Sequence, residues 1–246
     1  MSASITEADV TPGVRMMYLI RRRPETSREE LIAHWFANHM PSVIERNVAA
    51  RAAGKAGAWR YVATLFDPRG ERPQAWDGVA QLWYDSALPM PDAPHGEPPR
   101  DTFQEKVEPY WPWAAQEYVA IDGDLPLAPP TLNEPFPCTR SGFLKVTFLV
   151  PLKEGVAAEA LYRHWLEAHL PNVRESMLAA GGFRYVVAHS LDPHRAPFAG
   201  MAELYFPDAA AYDAFKAHIK PDGMEEVADP KATLVFHSGT EMVGIA

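Results

Sequence analysis

The stretch Leu161-Tyr162-Arg163-His164-Trp165-Leu166-Glu167-Ala168-His169-Leu170-Pro171 occurs twice in the chain. Its first version is Leu31-Ile32-Ala33-His34-Trp35-Phe36-Ala37-Asn38-His39-Met40-Pro41. Both read His-Trp-x-x-x-His-x-Pro. After each comes an aromatic residue followed by Arg-Tyr-Val (Trp59 to Val62, Phe183 to Val186), then an Asp-Pro turn (Asp67-Pro68, Asp192-Pro193). Gly78 to Tyr84 is then answered by Gly200 to Phe206. Four blocks kept in one order identify a tandem duplication.

Sharing 246 residues between two repeats leaves each with enough chain to own a core. A composition of 47% hydrophobic and 22% charged residues is that of a globular protein. No apolar run reaches the ~20 residues of a membrane span, so no membrane partner is expected. Residues 1–9 lack the basic start and apolar centre of a secretory signal, and a cytoplasmic location is the expectation. Cys138 is the single cysteine and cannot form an internal disulfide. A formal net charge of -9 with no basic stripe to offset it argues against nucleic acid as a partner.

Residues 15–21 form an apolar run of strand length, and Ser27-Arg28-Glu29-Glu30 has the form of a capping box that starts a helix. Leu31, Trp35 and His39 recur every fourth residue and mark the helix's apolar face. Further strands are expected at 59–65, 78–84 and 116–121, with a short helix at 102–108. The second half repeats this order with strand 143–150, a helix from about 157 to 180 stopped by Gly181-Gly182, strands 183–190 and 200–206, helix 209–219 and strand 233–236. Asp208 is the expected N-cap of the last helix. Residues 88–99, with Pro89, Pro91, Pro94, Pro98 and Pro99, are too rich in proline for regular structure and read as a pocket lid or a surface decoration. Residues 122–141 read as an extended linker between a domain at 1–121 and a domain at 142–246.

Each half therefore reads β-α-β-β-α-β, a ferredoxin-like unit with both helices on one face of an antiparallel sheet. One sheet face of each unit is left bare, and two such sheets fused in one chain can cover each other as a barrel. The expected class is α+β: tandem ferredoxin-like repeats forming an intramolecular dimeric α/β barrel, a pseudo-dimer within one chain that is also compatible with a homodimer.

The chemistry centres on histidine. Pro41 and Pro171 have no N–H to give, so the helix is expected to kink or restart beside His39 and His169, leaving carbonyls and an imidazole in a polar notch on an apolar face. An imidazole so placed is suited to general acid–base work near neutral pH. His34 and His39 are five residues apart, about 140° around an α-helix, and so are His164 and His169; they do not face one point, and no metal is expected. The catalytic candidates are His169 and His39, then His164 and His34. Tyr185, Tyr61, Trp165, Trp35 and His189 are the candidate substrate-binding residues, with core packing as the plainer reading of both tryptophans. Arg60 and Arg184 are expected to hold a substrate carboxylate or to pair across the sheet with Glu203. His189 has no histidine counterpart in the first repeat, which favours the second repeat as the working one.

His-Trp-x-x-x-His-x-Pro on the first helix of a ferredoxin-like unit, with aromatic-Arg-Tyr-Val on the next strand, resembles the EthD domain family of the dimeric α/β-barrel superfamily. Two copies would cover residues 14–121 and 142–246. The resemblance implies a small-molecule protein, of a kind often found in degradation or polyketide clusters, with cofactor-free lyases, decarboxylases, dehydratases and isomerases among its better understood relatives. Cofactorless monooxygenases and haem enzymes also occur in the wider superfamily. In similar isomerases a histidine at the end of the first helix takes part in proton transfer, and His39 and His169 match that position. The expected function is a cofactor-independent enzyme, a lyase or dehydratase, acting on a small apolar or aromatic molecule that carries hydroxyl or carbonyl groups. A non-catalytic carrier of a hydrophobic small molecule and a haem-binding protein are the two alternatives.

Overall fold

The computed structural model describes residues 8–68, 74–125 and 141–246. Among them the chain is α+β, and the order of elements is the order the duplication implies. The first repeat contains β1 (Asp9–Val10), β2 (Val14–Ile20), α1 (Arg28–Ile32), a π-helical stretch (Ala33–His39), α2 (Met40–Ala52), β3 (Arg60–Leu65), β4 (Gly78–Tyr84), α3 (Thr102–Lys106) and β5 (Trp113–Ile121). The second contains β6 (Leu144–Val150), α4 (Ala158–His164), a second π-helical stretch (Trp165–His169), α5 (Leu170–Ala179), β7 (Arg184–Ser190), β8 (Gly200–Phe206), α6 (Ala209–His218), α7 (Met224–Val227), β9 (Leu234–Ser238) and β10 (Thr240–Ile245).

Local chemistry starts these elements where the sequence places them. The Ser27 hydroxyl accepts from the Glu30 N–H at 3.1 Å while the Glu30 carboxylate accepts from the Ser27 N–H at 2.9 Å, which completes the capping box. Asp208 accepts from the Ala211 N–H at 2.9 Å and caps α6. Gly181, with φ at +79°, takes the left-handed conformation that ends α5, and the Gly182 N–H reaches back to the Met177 carbonyl at 2.7 Å.

The expected kink at the prolines takes another form. The helix runs on, but over 33–39 and 165–169 it widens, and Met40 N–H bonds to the Trp35 carbonyl just as Leu170 N–H bonds to that of Trp165. A five-residue step of this kind absorbs one extra residue per turn. Proline, which can neither donate nor tolerate an α-helical carbonyl one turn behind it, follows immediately at 41 and 171.

Two compact units result, and they cut across the expected boundaries at 121 and 142. One comprises residues 13–114 with 141 and 238–246; the other comprises 8–12, 115–125 and 142–237. In the first unit the strand order is β10-β3-β4-β2, and in the second β5-β7-β8-β6-β9, with β1 beside β5. The closing strands are exchanged: β10 pairs antiparallel with β3 from Thr240↔Leu65, and β5 pairs antiparallel with β7 from Ala115↔Ser190. Both pairings carry a register shift near their far end, between Val243 and Ile245 and between Val119 and Ile121. The β10 strand was not expected from the sequence, because the composition of 240–245 does not announce a partner that lies more than 170 residues away. The proline-rich linker falls largely on residues 126–140, which with Cys138 lie outside the described residues.

The second helix of the first repeat needs a correction. α3 follows the proline-rich loop and matches α7, the helix after α6; among the described residues nothing in the first repeat corresponds to α6, and residues 88–99 stand in its place. The expected Arg184–Glu203 pair is also replaced. Arg184 donates to Asp122 at 2.6 Å, and Glu203 pairs with Lys145 inside the sheet.

Each unit has one main core, in which a tryptophan of the π-helical stretch is fully buried against the sheet: Trp35 in one, Trp165 in the other. A glycine opens the strand beneath each ring. A Cβ on Gly78 would come within 2.8 Å of the Trp35 ring and would strike the Thr64 carbonyl, and a Cβ on Gly200 would come within 2.8 Å of both the Trp165 ring and the Ala188 carbonyl. Gly78→Ala and Gly200→Ala are each expected to cost about 1–3 kcal/mol of stability through overpacking. Urea unfolding that finds either variant as stable as the parent would remove the glycine–tryptophan contact as the reason for the two shared Gly positions.

Candidate functional site

Each unit encloses a cavity between its helices and its sheet. The first is about 400 Å³ and the second about 470 Å³. They are the same cavity built twice: Trp35 and Trp165, His39 and His169, Val43 and Val173, Tyr61 and Tyr185, Leu82 and Leu204 line them at equivalent positions.

At the wall of each cavity stands an imidazole held by a carboxylate. His39 Nδ1 is 2.6 Å from Asp101 Oδ2, and His169 Nδ1 is 2.8 Å from Asp222 Oδ2. The aspartates are fixed in turn by backbone at the start of α3 and α7. Asp101 Oδ1 accepts from the Gln104 N–H at 2.9 Å, and Asp222 Oδ1 accepts from the Met224 N–H at 3.1 Å. Asn172 adds a further donor to Asp222 at 2.6 Å. Burial by itself would raise Asp101, but the bonds from His39 and Gln104 outweigh it and leave the carboxyl below its ordinary value. Burial is likewise outweighed at Asp222, by Asn172, His169 and Met224. Both aspartates are thus ionised near neutrality and can only accept. Nδ1 of each histidine then carries a proton, and in the neutral ring Nε2 is the nitrogen with the lone pair. Burial lowers the His169 pKa below its ordinary value, against the opposing pull of Asp222, so the residue is neutral at physiological pH.

Of the residues singled out from sequence, His39, Trp35 and Tyr61 come together in the first cavity and His169, Trp165 and Tyr185 in the second. Burial raises both tyrosine phenols, with the neighbouring Trp35 and Trp165 pulling the other way. His34, His164 and His189 stand outside the cavity walls. His34 Nδ1 bonds to the Thr102 hydroxyl at 2.9 Å. His164 Nε2 is 3.9 Å from Asp222 Oδ1, so His164 and His169 converge on one carboxylate, where α-helical spacing puts them on different faces. The widened turn is the reason, since more residues per turn bring positions five apart round to the same side.

Sequence reasoning missed Asp101, Asp222 and His95. The aspartates did leave a signal: Asp101-Thr-Phe-Gln-Glu105 and Asp222-Gly-Met-Glu-Glu226 share Asp, an apolar residue two further on, an amide or acid, and Glu. Their offset of 121 is within one residue of the 122 that separates Gly78 from Gly200, but the match is short and follows a proline-rich loop in one repeat and a helix in the other. That loop also brings Leu88 and His95 to the first cavity, so it is part of the wall.

Comparison with known proteins is narrow in sequence and broad in shape. Residues 153–231 match the model of the EthD domain, a span that holds His164, His169 and Asp222. None of the curated proteins matches the chain. Among solved structures, an anthrone oxidase-like protein is similar at 11% identity and a TM-score of 0.47, with 95% of this chain and 94% of that chain covered. A mutant chlorite dismutase from Candidatus Nitrospira defluvii is similar at 9% identity and 0.47, covering 93% and 92%. A heme-binding protein from Thermus thermophilus is similar at 8% identity and 0.42, covering 95% and 93%. At these scores the likenesses assign no chemistry to this chain.

His189 shows what burial alone does to an imidazole. It stacks on Tyr162 with ring centroids 4.3 Å apart and planes 12° from parallel, and burial lowers its pKa to about 3. The unfolded chain takes up a proton at this residue below its ordinary 6.5 while the folded chain does not, so this contribution to stability falls as pH drops from about 6.5 towards 3. The slope is at most ~1.4 kcal/mol per pH unit. Leu65 is the equivalent residue in the first repeat, and His189→Leu is expected to flatten the dependence of urea-unfolding stability on pH between 6.5 and 4.5. An unchanged slope would show that His189 is not held neutral.

Proposed function

Taking residues 153–231 as an EthD domain, we propose that the protein is a cofactor-independent enzyme for a small apolar or aromatic molecule, of the lyase or dehydratase type. His169 and His39 act as general acid–base groups, and Asp222 and Asp101 orient them. The observation that carries this reading is the imidazole–carboxylate pair placed at the cavity wall in both repeats, at 2.8 and 2.6 Å. An ionised partner on one nitrogen orients the ring, and the cavity beside it gives the other nitrogen access to a substrate proton.

In the second cavity the neutral His169 Nε2 takes a proton from carbon next to a substrate carbonyl. The electron pair moves onto the carbonyl oxygen as an enolate, and the imidazolium formed is stabilised by Asp222. When the enolate collapses, a hydroxyl on the next carbon leaves with the proton from Nε2 as water, which completes a dehydration and restores the neutral histidine. Returning the proton to a different carbon gives an isomerisation instead. Apolar walls such as Val173 and Leu204 exclude water and strengthen the charge interactions that develop. Trp165 and Tyr185 give the ring of the substrate a flat, rigid surface.

The test uses 2-tetralone, an apolar ketone with exchangeable protons beside its carbonyl, in deuterated buffer followed by NMR. The intact protein is expected to accelerate exchange over buffer. His39→Ala and His169→Ala are each expected to reduce it, and the double variant to lose on the order of 10²-fold or more. The His169-dependent rate should be flat at neutral pH and fall on the acid side of 6.5, since burial lowers its pKa. Asp222→Asn should move that fall further to the acid side by removing the carboxylate that opposes the shift. Full exchange in the double variant would end the proton-transfer reading. Binding of tetralone without exchange in the parent protein would favour a carrier.

A further inference from the structure

The two cavities share their histidine, tryptophan, central tyrosine and aliphatic floor, and differ in polarity at several positions. Tyr18 of the first cavity corresponds to Phe148 of the second, Arg46 to Ser176, Asn47 to Met177 and Arg100 to Pro221, by the register of β2 with β6, of α2 with α5 and of the two Asp-x-apolar blocks. These exchanges remove a phenol, an amide and two guanidinium groups, while Gln104 is answered by Glu225, which adds a carboxylate to the second cavity's wall.

We propose that the first-repeat cavity binds an aromatic molecule bearing both a ring hydroxyl and a carboxylate, a class of ligand the second cavity does not favour. The inference concerns binding and stands whether or not His39 moves a proton. Arg46 and Arg100 line the cavity and are themselves exposed, which places positive charge at its solvent-facing end. Arg46 is anchored by its Nε, which donates to the Ser42 carbonyl at 3.1 Å, and Arg100 by its backbone N–H, which donates to Gln104 at 2.8 Å. Their charge is felt along the walls. Burial raises the Tyr84 and Tyr110 phenols, the latter to about 12, and Arg46 opposes the rise in both; burial lowers His95, and Arg100 adds to that. The lining carboxylate, Asp101, is held by His39 and by the Gln104 N–H, and the charge of Arg46 also favours its ionised form. A carboxylate docked at the mouth would meet guanidinium groups whose geometry suits it. Deeper in, burial keeps the Tyr18 and Tyr110 phenols protonated, so they can serve a ring hydroxyl as donors or acceptors beside Trp35. The second cavity offers Lys216, and that ammonium is already paired with Asp213 at 2.6 Å.

The probes are 6-hydroxy-2-naphthoate and its uncharged amide, 6-hydroxy-2-naphthamide, titrated calorimetrically into the full chain. The carboxylate is expected to bind roughly tenfold or more tightly than the amide, as a charge-assisted contact implies. Arg46→Ser combined with Arg100→Ala should abolish that preference, so that the carboxylate binds no more tightly than the amide. Tyr18→Phe should weaken both probes several-fold, and Lys216→Ala should change neither. The proposal is overturned if the parent protein binds both probes equally or neither saturably. It is equally overturned if the preference survives the double arginine variant or is lost in Lys216→Ala. Because the readout is binding, loss of proton exchange in the histidine variants leaves this result standing, and the reverse holds as well.

Discussion

The missing N–H of a proline is the constraint from which the functional geometry follows. With no donor at 41 or 171, the helix before it relaxes into a turn closed by a five-residue step, from Met40 to Trp35 and from Leu170 to Trp165. That step sets where Trp35 and Trp165 enter the core and where His39 and His169 leave the helix. A plain α-turn would put each histidine on a different bearing from its cavity and from the aspartate that holds it. The glycines at 78 and 200 complete the arrangement, because the indole rings occupy the space a side chain there would need.

Around this constraint the chain assembles the same wall twice and then varies it. The shared part of each wall is an imidazole, an indole and a buried phenol, and behind each imidazole stands a carboxylate fixed at the start of a short helix. On the proposed reading, such a set holds a flat molecule and transfers a proton to or from it. The variable part is polarity: tyrosine, arginine and asparagine in one copy against phenylalanine, serine and methionine in the other. Duplication frees one site to drift in ligand preference while the imidazole–carboxylate pair stays intact.

The exchange of closing strands ties these copies together. β5 leaves the repeat that encodes it to pair with β7, and β10 does the same with β3. Neither compact unit can be completed by one repeat alone, so an intermolecular pairing between two single-repeat chains becomes an intramolecular one at much higher effective concentration.

The repeated blocks determined a good deal by themselves. Hydrophobic periodicity and the capping signals at Ser27 and Asp208 located the helices, the alternation at 59–65 and 183–190 located central strands, and the repeat order implied two ferredoxin-like units. The histidines, tryptophans and tyrosines now found on the cavity walls were legible for the same reason: each lies on the apolar stripe of its own element, and a stripe is a local property. What tertiary structure alone decided involves partners distant in sequence or departures from ideal helix geometry. Asp101 and Asp222 meet His39 and His169 across more than 50 residues. β10 finds β3 across more than 170 residues. His164 swings towards Asp222 because the turn widens, an effect that assumed α-helical angles cannot reveal. Periodicity reports which face of an element is buried; it carries no record of what waits on the other side.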